Sequence, residues 1–113
     1  MDVSTFTSEL LSELAKLDFV DRVELETEAI IVRGRAYLHE NMFVEVYLNQ
    51  STNTIAFALI KEQDRVWGID RDAIRGWHEH PIENPKSHVE IRAVTIVQII
   101  SKLKAVYRKI AKE

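Results

Sequence analysis

Three of the four histidines in this 113-residue chain lie close together, at His78, His80 and His88. Histidine has an unperturbed pKa of about 6.5, so it can give and take a proton near neutral pH. Asp70 precedes the three histidines and is a candidate for orienting an imidazole ring. These four residues are therefore the candidate catalytic group for metal-independent phosphodiester cleavage. One histidine would remove the 2′-hydroxyl proton of RNA, and another would protonate the leaving oxygen.

Neighbouring side chains suggest how a substrate would be bound. Arg75 and Lys86 are candidates for holding a phosphate group and the negative charge that develops on it. Trp77 stands beside His78 and is a candidate wall of the pocket. This hypothesis describes a ribonuclease that needs neither a metal nor another cofactor.

Two other interpretations of the histidines stay open. In extended backbone, His78-x-His80 places both rings on one side, and His88 or Asp70 can complete a metal-ligand set. Alternatively, the histidines are structural and pack beside Trp77 in turns. The spacing of these residues does not decide between chemistry, metal binding and a structural role.

The ends of the chain predict two amphipathic helices. Apolar residues at helical spacing indicate a helix over 5–17, with Ser4 or Thr5 as its N-cap. A second apolar stripe indicates a helix over 96–112. Thr95 and Gln98 stand at the positions of a capping box before that stripe.

Between the helices, the apolar pattern mostly alternates with period two, residues 54–61 are apolar on both faces, and short polar turns interrupt the pattern. This pattern predicts five strands, at about 22–27, 29–39, 43–49, 54–61 and 65–70. Because the connections are short, an antiparallel meander is expected. Residues 71–88 lose the periodicity and are expected to form a long loop. The prediction is a single α+β domain over 1–113, a two-layer sandwich with both helices on one sheet face.

The opposite face of the predicted sheet carries Arg33, Arg35, Tyr37 and Tyr47. Aromatic and arginine side chains on an exposed sheet can stack on bases and hold phosphates. The same residue types are enriched at protein interfaces, so a homodimer contact is an alternative. In that case the chain would be a non-catalytic binding or assembly module.

Composition excludes several classes of protein. The chain has no cysteine, which removes disulfides, thiolate nucleophiles and cysteine–zinc sites. Its net charge of −3 argues against a general polyanion binder, although five cations and no acid lie between Lys102 and Lys112. No apolar run approaches the ~20 residues of a membrane span, and the N-terminus lacks a basic signal start. A cytoplasmic protein without a membrane partner is expected.

The histidine region also resembles a known family. The runs Trp67-Gly68-Ile69-Asp70, Gly76-Trp77-His78-Glu79-His80-Pro81 and Pro85-x-x-His88 resemble the TumE-type family of small bacterial and archaeal proteins. Members of that family are toxins of toxin–antitoxin pairs. The resemblance implies a growth-inhibiting toxin with a cognate antitoxin, and Asp70, His78, His80 and His88 are the matching positions. Family members commonly have asparagine after the aspartate, where this chain has Arg71.

Overall fold

The computed structural model describes residues 1–112, which form an α+β fold with two helices and one sheet. In chain order the elements are α1 (Val3–Leu14), β1 (Val20–Glu28), β2 (Ile31–Leu38), β3 (Met42–Asn49), β4 (Thr54–Lys61), β5 (Asp64–Asp72), β6 (Gly76–His80), β7 (Val89–Glu90) and α2 (Ile96–Ala111).

The sheet is an antiparallel meander in which each strand pairs with the next one along the chain. The expected antiparallel sheet is confirmed, but the expected number of five strands is wrong, because seven are present. The expected loop over 71–88 is also wrong, since it contains all of β6. The chain turns tightly there because Oδ1 of Asp72 accepts the backbone N–H groups of Ile74 and Arg75. Gly76 then begins β6 at φ +66°, a conformation that glycine adopts without strain.

One face of the sheet, the inner face, is apolar and buried. Val46, Phe57 and Ile69 lie opposite one another on β3, β4 and β5 and are almost fully buried. Phe6 of α1 and Leu103 of α2 belong to the same hydrophobic cluster. The apolar stripes of both helices are therefore buried together with the inner face.

The helix ends follow capping rules, with one difference from expectation. Asp2, rather than Ser4 or Thr5, caps α1, because its Oδ1 accepts the backbone N–H of Thr5 at 2.7 Å. The capping box of α2 is confirmed: the N–H of Gln98 donates to Oγ1 of Thr95 (3.1 Å), and the N–H of Thr95 donates to Oε1 of Gln98 (2.9 Å).

Within residues 1–112, neither helix is long and apolar enough to cross a membrane.

The opposite face of the sheet, the outer face, carries the candidate site. Tyr47, Ala56, Asp70 and His78 lie opposite one another on β3 to β6. They alternate with the buried inner-face residues along each strand, so they point away from the helices. Gly68 lies beside them, and a Cβ atom there would come within 2.7 Å of the Phe57 carbonyl oxygen. Only glycine allows this close approach of β5 to β4.

Candidate functional site

The three histidines come together as one cluster, the histidine cluster of His78, His80 and His88. His78 and His80 are two residues apart on β6, so both rings project from the outer face. His88 directly precedes β7. The ring centroids are separated by 5.3 Å (His78–His80), 5.2 Å (His78–His88) and 4.6 Å (His80–His88). One ring nitrogen from each histidine lies within 4.8 Å of the others.

Two members of the cluster are buried and one is exposed. His78 and His80 have only 3% and 1% of their surface accessible, whereas His88 is exposed. The connection from β6 to β7, residues 81–88, places its Pro85 carbonyl oxygen 3.0 Å from Nδ1 of His80. Two backbone turns, from Asn84 N–H to the Pro81 carbonyl and from Ser87 N–H to the Asn84 carbonyl, fold this connection.

Asp70 on β5 is the carboxylate of the site. Its Oδ2 atom lies 3.0 Å from Nε2 of His80 and 3.4 Å from Nε2 of His78. Arg65 reaches the same oxygen, with Nη1 at 3.9 Å. One carboxylate oxygen therefore faces two buried imidazoles and one guanidinium.

Both ring nitrogens of His80 lie beside oxygen atoms that accept hydrogen bonds. Nδ1 faces the Pro85 carbonyl oxygen and Nε2 faces the Asp70 carboxylate, and neither oxygen can donate a hydrogen bond. A neutral imidazole carries only one N–H and can satisfy only one of them. The His80–Asp70 pair therefore needs an added proton, on the ring or on the carboxylate, or a cation near Nε2. His78 repeats the arrangement more loosely, with Nδ1 3.3 Å from the Gly76 carbonyl oxygen.

A cavity of about 270 Å³, the histidine cavity, opens at the cluster. It is lined by the three histidines and by charged and neutral side chains of β4, β5 and the β5–β6 turn: Thr54, Ile55, Ala56, Arg65, Asp70, Arg71, Asp72 and Arg75. Three arginines against two aspartates leave its wall positively charged when the histidines are neutral. The net charge of the whole wall favours an anion, whereas the Asp70 carboxylate provides negative charge directly beside Nε2 of His78 and His80.

Two groups at this cavity have shifted pKa values. The pKa of His88 is lowered, first by loss of hydration beside the cluster and then by the positive charge of Arg75. The pKa of Asp72 is lowered mainly because its carboxylate accepts the backbone N–H of Arg75. Both the loss of hydration and the nearby positive charge disfavour the protonated form of the His88 imidazole.

The structure brings most of the sequence-derived site residues together. Asp70, His78, His80, His88 and Arg75 all line the histidine cavity, and Nε of Arg75 lies 3.4 Å from Oδ2 of Asp72.

The other two candidates lie elsewhere. Trp77 is opposite Arg71 in the strand register and packs against the hydrophobic core, so it lies on the other side of β6 from His78. Lys86 is exposed and does not belong to the described lining of the cavity.

Sequence reasoning missed Arg65. Strict alternation places Arg65 and Asp70 on opposite faces, because they are an odd number of residues apart. The pairing of β4 with β5 shifts between Leu59 and Ile60, and this bulge brings Arg65 to the outer face. The sequence gives no signal for such a shift.

The fold and site define the class of this protein only by its structure: an α+β protein whose antiparallel meander carries two buried histidines and one exposed histidine on its outer face. No protein-family model, no curated protein and no solved structure matches this chain. The chemistry of the site is therefore inferred from its own geometry.

Proposed function

We propose that the protein binds a divalent transition-metal ion, with His78, His80 and His88 as ligands. Zn²⁺ is the ion whose preferences suit this site best, because it accepts three imidazoles and leaves a fourth position for water or substrate. The observation that carries the proposal is the position of His80, whose two ring nitrogens both face oxygen acceptors. A cation at Nε2 resolves this conflict without a second proton on the buried ring.

Backbone carbonyls favour the tautomer that a metal requires. Nδ1 of His80 faces the Pro85 carbonyl and Nδ1 of His78 faces the Gly76 carbonyl. With the proton on Nδ1, each Nε2 keeps its lone pair directed toward Asp70. Metal-binding histidines commonly have such a partner on their second nitrogen, which fixes the orientation of the ring.

The distances suit a small ion. Ligand atoms around a tetrahedral zinc at 2.0–2.1 Å are separated from one another by ~3.4 Å. The three histidine nitrogens lie within 4.8 Å of one another before any ion draws them together. The carboxylate of Asp70, 3.0 Å from Nε2 of His80, supplies negative charge beside the ion.

Metal-independent RNA cleavage by a toxin with a cognate antitoxin is the second proposal. It is favoured by the 3.0 Å contact between Asp70 and His80, which can hold a protonated imidazole, and by Arg75 at the same cavity. The burial of His78 and His80 weighs against it, because a general acid or base must reach the proton that it transfers. The toxin activity itself rests on the sequence resemblance.

Metal content and thermal unfolding test the first proposal. Chain stripped with a chelator is incubated with Zn²⁺, freed of excess ion, and measured by elemental analysis. We expect one zinc per chain and a higher melting temperature, since an ion that binds only the folded state stabilises it. His88→Ala removes the exposed ligand without opening a core cavity, and His80→Ala removes a buried one. Both are expected to lose the zinc.

His39 provides the matched control, because it pairs with Asp21 away from the cluster. His39→Ala should retain full zinc binding. A folded wild-type chain that binds no zinc would refute the metal centre. RNA cleavage that continues in excess chelator and is lost in His80→Ala would favour the second proposal instead.

A further inference from the structure

The outer face carries a second and larger depression, of about 620 Å³, here named the outer trough. Tyr37, Tyr47, Arg33, Arg35, Ala56 and Ala58 line it together with acidic residues of β1 and β3. Ala56 and Ala58 are adjacent outward-facing residues of β4, so the middle of the trough has no long side chain.

The outer trough adjoins the histidine cavity. Ala56 lines both depressions. Tyr47, Ala56 and Asp70 lie opposite one another on three consecutive strands. Neighbouring strands are about 4.8 Å apart, so Tyr47 lies roughly 10 Å from Asp70 across the sheet. Along this line of paired residues, the only side chain between Tyr47 and Asp70 is the methyl group of Ala56.

The two depressions differ in charge. The histidine cavity has three arginines against two aspartates, and a divalent ion would raise its positive charge further. The outer trough has two arginines against three glutamates, and Arg35 pairs with Glu45 at 3.5 Å. The histidine cavity therefore attracts an anionic group. The outer trough is better suited to an uncharged part of the same ligand that has polar atoms at its edges.

We propose that the outer trough and the histidine cavity together bind a nucleotide, a proposal that rests on the metal centre described above. The phosphate binds at the ion between Arg65 and Arg75. The base lies over Ala56 and Ala58 against the ring of Tyr47. Arginine is suited to phosphate oxygens, and an aromatic ring provides a stacking surface for any base.

Calorimetric titration of the zinc-loaded chain with adenosine monophosphate, adenosine and inorganic phosphate tests this proposal. We expect the nucleotide to bind about tenfold more tightly than phosphate, because stacking adds to the phosphate contacts. Ala58→Leu fills the trough without touching the histidine cavity. It should reduce nucleotide affinity to the level of phosphate and leave phosphate affinity unchanged.

Ala105→Leu makes the same substitution on the exposed side of α2 and serves as the control. Zinc content is measured for every variant, so loss of the metal centre is distinguished from loss of the trough. Equal affinity of the zinc-loaded chain for nucleotide and phosphate would overturn the nucleotide site and leave the metal centre intact. A folded chain that binds no zinc would overturn both.

Light scattering measures the oligomeric state and so distinguishes a nucleotide site from a dimer contact. A dimer that Ala58→Leu dissociates would overturn the nucleotide site, because the trough would then be a contact between copies of this chain. A monomer with the expected ligand preference would support it.

Discussion

Two carboxylates on opposite faces of the β5–β6 hairpin, Glu79 and Asp70, have contrasting surroundings. On the inner face, Glu79 accepts a hydrogen bond from Nε1–H of Trp67 at 2.8 Å and from Nζ of Lys102 at 3.3 Å. On the outer face, Asp70 lies against two buried histidines and Arg65. The hairpin thus presents similar acids to two different sets of partners.

The difference lies in the balance of donors and acceptors. An indole N–H and an ammonium group can only donate, so the partners of Glu79 complete a hydrogen-bond network that needs nothing further. His80, in contrast, lies between two acceptors and needs an added proton or cation. The donors around the inner carboxylate are complete, whereas the outer carboxylate is the one that the proposed metal centre would use.

Replacing the inner partner should have the largest effect on stability. Trp67 is 1% exposed, so Trp67→Ala leaves a large cavity and should lower the free energy of unfolding by about 3–5 kcal/mol. Trp67→Phe fills part of the space and removes one donor to Glu79, which should cost about 1–3 kcal/mol. Urea unfolding measures both. The folded Trp67→Phe chain should bind zinc normally, and loss of zinc binding would show that the two faces are not independent.

Replacing the outer carboxylate should mainly change ligand binding. Asp70→Asn keeps the shape of the side chain and removes its charge beside the ion. Zinc affinity should fall about 10–100-fold, as it does when a group supporting metal ligands is removed. Competition with a chromophoric chelator measures the affinity.

Asp64→Asn is the matched control for this change, since Asp64 is an exposed residue at the start of the same strand. It should leave zinc affinity unchanged. Equal affinities of the Asp70→Asn and wild-type chains would remove Asp70 from the metal centre.

The ion pair on the inner face should have the smallest effect. Glu79→Gln keeps an acceptor for Trp67 but removes the charge that pairs with Lys102. Because the Lys102 side chain is 43% exposed, the loss should be about 0.2–1 kcal/mol and should shrink at high salt. Urea unfolding of Glu79→Gln, Lys102→Met and the double variant isolates the pair. A loss as large as that of Trp67→Ala would mean that the charge, rather than the indole contact, holds this face.

The parts of the fold that the sequence predicts well have strong periodic signals. The apolar stripe and capping box of α2 locate its start at Ile96, as the structure has it. The run over Thr54–Lys61, which is apolar on both faces, likewise matches β4. β6 was not predicted because its outer-face residues, His78 and His80, are polar side chains that are nevertheless buried. Their polarity hides the burial from any pattern based on hydropathy.

The candidate site is predictable in its residue types but not in its surroundings. Proximity in sequence is enough to group His78, His80 and His88 with Asp70. Their burial depends on how β6 pairs with β5 and on the path of residues 81–88, which are tertiary features. For the same reason the sequence places Trp77 at the site, although the pleat of β6 turns it toward the core.

The meander order of the strands also has consequences for folding during synthesis and for the evolution of the site. Arg65, Asp70, Arg75 and the histidine cluster all lie within residues 65–88, one uninterrupted stretch of the chain. On the ribosome, β1 to β4 emerge first, so the growing sheet can offer the edge of β4 to β5 as soon as it appears. Recombination at the β4–β5 turn and after His88 would transfer all of these groups to another meander in one exchange.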